Sequence, residues 1–213
     1  MAQTAALVDV LKRELRARGV VVAAGHTDAT EDEFVAGVEA GITAVTHLFN
    51  AMRPFGHRDP GPAGATLARS DVVAGLIVDG VHVAPTAVAV AWKALRPDRL
   101  MLVTDAVAAL GLPPGPVHVG SMTAIAGPSG VRTADGTLAG STLSMDQAVR
   151  NLMAFAGCSL GDAVRCASAT PAELLGDSSR GRLEPGRRGD VVVLSPEGFV
   201  VATIVAGEIV WKS

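Results

Sequence analysis

Four short apolar runs in this chain each lead to a side chain that can bind a metal ion or move a proton. Val20 to Ala24 leads through Gly25 to His26, Ile42 to Thr46 leads to His47, Leu76 to Val78 leads through DGV to His82, and Leu100 to Thr104 leads to Asp105. Continuous apolar runs are how parallel strands read when both faces are covered, and in α/β proteins the chemistry sits just past their C-terminal ends. Helical periodicity fills the intervals. Residues 4–18 place Ala6, Leu7, Val10, Leu11 and Leu15 on one face with Lys12, Arg13 and Arg16 opposite, and Gly19 closes that helix. Thr30 with Glu33 forms a capping box for a helix reaching about residue 40, where Gly41 stops it. A short helix is expected over 65–69, and Pro85 opens another over 85–95. Between His47 and the 65–69 helix runs LFNAMRPFGHRDPGPAG, a Gly/Pro-rich loop longer than most connections in a compact domain and therefore a candidate functional loop.

Past Asp105 the alternation ends. GLPPGP breaks the chain, strand-like pieces follow at 117–125 and 130–132, and Ser144 with Gln147 predicts a second capping box for a helix to about 156. Another helix is expected from Leu160 to near Pro171, and the last thirty residues read as strands, with Ala206-Gly207 as a hairpin turn. The expected divisions are 1–115 for the strand-helix units, 116–185 for the irregular segment and its helices, and 186–213 for the terminal strands. An eight-stranded barrel of such units takes about 250 residues. Only four units fit here, and the chain opens on a helix where such a barrel opens on a strand, so the sequence reads as part of a larger barrel.

Composition narrows the class. The 213 residues are 49% hydrophobic, which suits a packed globular domain, and the net charge of −3 carries no basic block to attract nucleic acid or an anionic membrane. A small-molecule partner is favoured. Cys158 and Cys166 match neither a CxxC pair nor a zinc ribbon and read as reduced core residues. The N-terminus lacks the apolar region of a signal peptide, and no stretch reaches the roughly 18 apolar residues of a membrane span, so a cytoplasmic location is expected.

His26 and His47 stand at corresponding ends of successive strands about 4.8 Å apart, within reach of one ion. Zinc held by neutral imidazoles with an open position is a usual hydrolytic arrangement, although either histidine alone could be structural. Asp105 is either a general base for water or a salt-bridged or capping carboxylate. His82 either hydrogen-bonds a substrate or satisfies a buried carbonyl. His57 and Arg58 suit a phosphate or are a solvated loop pair, and His118 is read as structural.

The runs GHTDAT, GITAVTHLFNAM, GHRDPG, DGVHV, LVTDA and DGTLAGSTLSMDQAVRN, in this order, resemble the N-acetylglucosamine-6-phosphate deacetylase family of the amidohydrolase superfamily. The resemblance implies the C-terminal half of a metal-dependent (β/α)8 TIM-type barrel plus part of a small β-sandwich. It implies hydrolysis of N-acetylglucosamine 6-phosphate to glucosamine 6-phosphate and acetate, with a divalent metal, zinc first. By the same resemblance His26 and His47 match metal ligands, Asp105 the catalytic aspartate, and His82 a residue bonded to the sugar and the reacting amide. Asn50 and Ala51 match a phosphate-side contact and Arg58 the phosphate-binding arginine, donated across a homodimer interface, and Leu138, Ala139 and Gly140 match a loop beside the acetyl group. The family's glutamate ligand belongs to an earlier strand that has no counterpart here. The resemblance therefore implies impaired activity for this chain by itself, and two alternatives stand beside it: a partner-dependent, non-catalytic half-barrel, and an amidohydrolase acting on a cyclic amide or nucleobase.

Overall fold

The structure is a computed structural model and describes Val10 and residues 13–213. Most of the helix expected over 4–18 lies outside the described residues; 13–17 are helical. Four strands, β1 (Ala23–Ala24), β2 (Ala44–Val45), β3 (Val73–Ile77) and β4 (Leu100–Val103), form one parallel sheet in chain order. Parallel neighbours need crossover connections. These are α1 (Glu31–Glu39), α2 (Gly61–Ala68) and α3 (Pro85–Arg99).

The first two strands are shorter than their apolar runs. Single backbone bonds prolong the pairing at both ends, from Thr43 N to Val22 O (3.1 Å), Thr46 N to Ala24 O (2.8 Å) and Leu48 N to Gly75 O (2.8 Å). The regular ladder stops because the backbone leaves the extended region at His26 (φ 46°) and His47 (φ 27°). Leu76, Ile77, Leu100 and Leu102 meet Phe34 and Val38 of α1 and Val88, Trp92 and Leu95 of α3 in one buried cluster. That burial drives the assembly of these units.

The capping box on α1 forms as expected, with Glu33 N donating to Thr30 Oγ1 (3.3 Å) and Thr30 N to Glu33 Oε2 (2.9 Å). The Thr30 backbone N–H and hydroxyl both donate to the Glu33 carboxyl, the hydroxyl at 3.1 Å, and hold it below the usual carboxylate range. Helix α2 begins four residues before the expected start because Pro62 sits in its first turn, and its buried Thr66 hydroxyl donates to Pro62 O at 2.7 Å. In α3 the regular part ends before Arg96 (φ 56°, ψ 177°), the residue preceding Pro97, whose ring disfavours helical geometry there.

After β4 comes an antiparallel meander, β5 (Gly115–Val119), β6 (Met122–Gly127) and β7 (Gly130–Thr133). Helices α4 (Met145–Ala156), α5 (Leu160–Ala167) and α6 (Ala169–Leu175) then pack on α3 and β4. Two expectations change here. Ser144 is the N-cap of α4 by backbone geometry but makes no side-chain cap bond; its hydroxyl pairs with Asp146 instead, so no capping box forms. The single helix expected from Leu160 to Pro171 is two, broken at Ser168 (φ −135°, ψ −71°), and Pro171 lies in the first turn of α6, where its missing N–H costs nothing.

Cys158 and Cys166 are free thiols; burial pushes Cys166 up to about 12, which makes it inert. The chain closes with an antiparallel sheet of β8 (Val191–Leu194), β9 (Val200–Val205) and β10 (Glu208–Lys212). Ala206 (φ 52°) and Gly207 (φ 88°) form the expected hairpin turn, both left-handed as a type I′ connection requires.

Candidate functional site

Because β1 to β4 run parallel, their C-terminal ends share one edge of the sheet. His26, His47, Asp79 and Asp105 each lie two residues beyond the last residue of their strand. Register then divides them. Ala24 pairs with Val45, which sets His26 beside His47, and Ile77 pairs with Val103, which sets Asp79 beside Asp105. Val45 pairs with Ala74, so His47 aligns with Leu76, three residues short of Asp79. The two carboxylate tips therefore come three residues later in the β2–β3 register than the imidazole tips. No spacing in the sequence reveals this offset.

The histidine pair is tight. Nε2 of His26 and Nε2 of His47 are 3.0 Å apart, with the rings 65° from coplanar. Two imidazoles on one tetrahedral zinc, each bond near 2.0–2.1 Å, place their nitrogens about 3.3 Å apart, so the donor pair fits two positions of such an ion. His47 is buried, and its Nδ1 is sealed from solvent without a hydrogen-bond partner. A ligating Nε2 leaves the ring proton on Nδ1, where metal-binding histidines ordinarily have an acceptor. Among the described residues no three His, Cys, Asp or Glu side chains converge as a metal site, so the pair fits a divalent ion without completing its shell.

Backbone strain collects here. His26, His47, Phe49 (φ 76°), Ala51 (φ 50°) and Asp105 (φ 50°) all occupy the left-handed region, at a cost of about 1–3 kcal/mol each. Interlocked loops hold these conformations. Thr27 N donates to Ala51 O (3.0 Å) and Arg53 N to Thr27 O (3.1 Å), while the Arg53 guanidinium bridges Asp28 and Asp59, which keeps it protonated. Gly25 is needed for this closeness, since a Cβ there would lie 3.0 Å from Thr46 Cβ.

Asp105 is exposed, and its backbone is held from the other side. Ser141 N donates to Asp105 O (2.8 Å), Val107 N donates to Ser141 O (3.0 Å), and the buried Ser141 hydroxyl donates to Thr104 O (2.5 Å) while accepting from Leu143 N (3.0 Å). Gly140 (φ 92°) has no room for a side chain, because a Cβ would come within 2.4 Å of Val107 Cγ1 and 3.0 Å of Asp105 O. Leu138 bridges Arg132, and Ala139 N donates to Val131 O (2.8 Å), so the 138–140 loop is tied to β7 and laid against Asp105.

His82 lies past the turn that follows Asp79. Its Nδ1 is 2.6 Å from Asp79 Oδ2, and Asp79 Oδ1 accepts from Val81 N and His82 N, each at 2.8 Å. Burial raises the Asp79 carboxyl, but the bonds from His82 and Val81 outweigh it and hold the group below the usual range. Asn151 of α4 supports this tip by donating to Val78 O (2.7 Å).

In the loop after His47, Asn50 N donates to His47 O (3.0 Å) and its side chain to Leu48 O (3.2 Å). His57 and Arg58 are exposed and make no side-chain hydrogen bond or ion pair among the described residues. The structure thus brings His26 to His47 and the 138–140 loop to Asp105, while His57 and Arg58 make no hydrogen bond or ion pair with either among the described residues. His118 is exposed on β5, paired across the meander with Thr123. Asp79, Ser141, Asn151 and Arg53 escaped the sequence reading. Only Asp79 had a local signal, a carboxylate in DGVH just past its strand.

The profile of the family described as "Amidohydrolase family" matches residues 2–210. The chain belongs to the amidohydrolase family. Within it, the chain is 43% identical over 208 residues to an N-acetylglucosamine-6-phosphate deacetylase of Danio rerio, covering 93% of this chain and 51% of that protein. The N-acetylglucosamine-6-phosphate deacetylase of Thermotoga maritima superposes with a TM-score of 0.91 at 38% identity, over 95% of this chain and 56% of that one. A mutant of the Mycobacterium smegmatis enzyme in complex with N-acetyl-D-glucosamine-6-phosphate gives 0.89 at 42% identity, over 96% and 54%. The chain spans about half the length of these relatives. Amidohydrolases in general depend on a divalent metal, which agrees with the imidazole pair. No described helix is long and apolar enough to cross a membrane.

Proposed function

We propose that this chain supplies part of a (β/α)8 barrel that deacetylates N-acetylglucosamine 6-phosphate. The observation that carries this reading is the 3.0 Å approach of two imidazole Nε2 atoms at the tips of adjacent parallel strands. It is supported by the likeness to deacetylases along nearly the whole chain. His26 and His47 hold a divalent ion, zinc by its preference for nitrogen donors, and a third ligand comes from outside the described residues. When bound, the ion supplies Lewis-acid polarisation of the amide carbonyl and activation of water. Asp105, exposed at its strand tip, takes the proton from the attacking water. It returns that proton to the nitrogen as the C–N bond breaks, giving acetate and the free amine. The 138–140 loop shapes the acetyl side, and Asn50 and Ala51 face the phosphate.

Arg58 has no partner of its own among the described residues, which suits a guanidinium given to the phosphate of a second copy in a homodimer. The free thiols suit a cytoplasmic enzyme, since the cytoplasm keeps cysteines reduced.

A partner-dependent half-barrel is the second reading, favoured by the absence of a third metal ligand among the described residues. One assay separates the two. Release of glucosamine 6-phosphate is measured for the 213-residue chain alone and for the chain mixed with the remaining half of the Thermotoga maritima relative. Turnover that appears only in the mixture, and is abolished by Asp105→Asn, supports a catalytic half-barrel. No turnover in the mixture, with zinc binding unaffected by His26→Ala or His47→Ala, refutes the metal-dependent deacetylase.

A further inference from the structure

We propose that Asp79 is the positioning residue for His82, fixing it as the Nδ1–H tautomer with the Nε2 lone pair free to accept a hydrogen bond from a substrate hydroxyl or amide N–H. The identity of that donor rests on the deacetylase reading; the tautomer does not.

The argument starts from the turn. Asp79 Oδ1 is committed to two backbone donors, Val81 N and His82 N, both at 2.8 Å. This fixes the carboxylate plane and points Oδ2 at the ring, 2.6 Å from His82 Nδ1. Three hydrogen bonds hold the carboxyl ionised, so Oδ2 can only accept and Nδ1 must carry the proton. Both side chains are nearly sealed, His82 at 4% and Asp79 at 12% exposure, so water does not compete for the contact. Asn151 pins the carbonyl of Val78, one residue before Asp79, from α4. At the other end of the ring, Nε2 meets no partner among the described residues and, unlike Nδ1 of His47, is not sealed from solvent. A neutral ring protonated on Nδ1 offers a bare lone pair at Nε2. His82 therefore binds a donor group of the substrate, and polarisation of the carbonyl falls to other groups.

The same geometry makes the test sharp. In Asp79→Asn the new side chain must keep its amide oxygen on the two backbone N–H donors, because its amide nitrogen would repel them. That places the side-chain NH2 against His82 Nδ1, which can accept only when unprotonated, so the ring proton must move to Nε2. The 213-residue chain is labelled with ¹⁵N-histidine, His82 is assigned with His82→Gln, and two-bond ¹H–¹⁵N correlations are recorded at about pH 7.5, above the usual histidine range. The expected result is protonated Nδ1 and bare Nε2 in the wild type, with the two roles exchanged in Asp79→Asn at a similar melting temperature. Protonated Nε2 in the wild type, whether alone or as the imidazolium, overturns the proposal. So does an unchanged tautomer in a folded Asp79→Asn chain, and if that variant does not fold the wild-type spectrum still decides. Since no turnover is read, failure here is distinct from failure of the deacetylase assay.

Discussion

The parallel sheet β1–β4 and the terminal antiparallel sheet β8–β10 are both built largely from apolar residues, yet they bury them very differently. In the first, Leu76, Ile77 and Leu100 are fully buried beneath helices. In the second, Ile209 (66%), Val210 (59%) and Trp211 (48%) stand exposed. The difference lies in what covers each sheet. Every parallel connection brings a helix with it, whereas hairpin connections bring only turns and leave a sheet face to be covered by something else. Between the terminal sheet and α4–α6 remains a cavity of about 730 Å³ lined by apolar groups such as Val149, Val164, Leu175 and Val191.

The largest expected effect tests this contrast directly. Leu76→Ala in the parallel sheet should lose about 2–5 kcal/mol in urea denaturation, the usual cost of emptying a sealed leucine site. Ile209→Ala in the terminal sheet should stay within about 0.5 kcal/mol, as exposed substitutions do. A comparable loss at both positions would mean that the terminal sheet is covered in solution.

Next in size is the seam between the parallel sheet and the segment that follows. Gly140→Ala puts a Cβ against Val107 and Asp105 O at a left-handed φ, so it should cost about 1–3 kcal/mol and displace the Asp105 tip. A thermal melt and a crystal structure of the variant check both parts. Capping sharpens the comparison further. Thr30→Ala removes a complete box and should cost about 1 kcal/mol, while Ser144→Ala removes a hydroxyl that caps nothing and should cost clearly less. Equal losses would show that Ser144 caps α4 after all.

The smallest effect is acid-dependent and belongs to the C-terminal part. Hydrogen bonds from Ser179 and Arg180 lower the Asp177 carboxyl from 3.8 to about 2. A carboxyl lowered in the folded state stabilises it above the unfolded value and loses that contribution as pH falls from about 3.8 towards 2. Asp177→Asn should therefore flatten the acid limb of a stability-versus-pH curve within that window and leave neutral pH nearly unchanged; an unaltered acid limb would remove Asp177 from the linkage.

Sequence alone determined what depends on local pattern. Four apolar runs, the Thr30–Glu33 capping box and the Ala206-Gly207 turn carry their structural instructions within a few residues, so strand and helix existence was legible, along with the residues at the strand tips. The pairing of His26 with His47 was also readable, because neighbouring parallel strands with matched tips leave little choice. Tertiary structure decided the rest. The three-residue register offset between the histidine tips and the Asp79 and Asp105 tips is a property of hydrogen-bond pairing between β2 and β3, and no single strand encodes it. The left-handed backbone at His26, His47 and Asp105 exists only because partner loops hold it, Ala51 and Arg53 on one side and Gly140 and Ser141 on the other. Asp79 was visible as a carboxylate in DGVH, but its grip on His82 follows from a turn closed by two backbone amides and supported by Asn151, 73 positions from Val78. Contacts of that range are chosen by the packing of helices on the sheet, since burial is collective while sequence pattern is local.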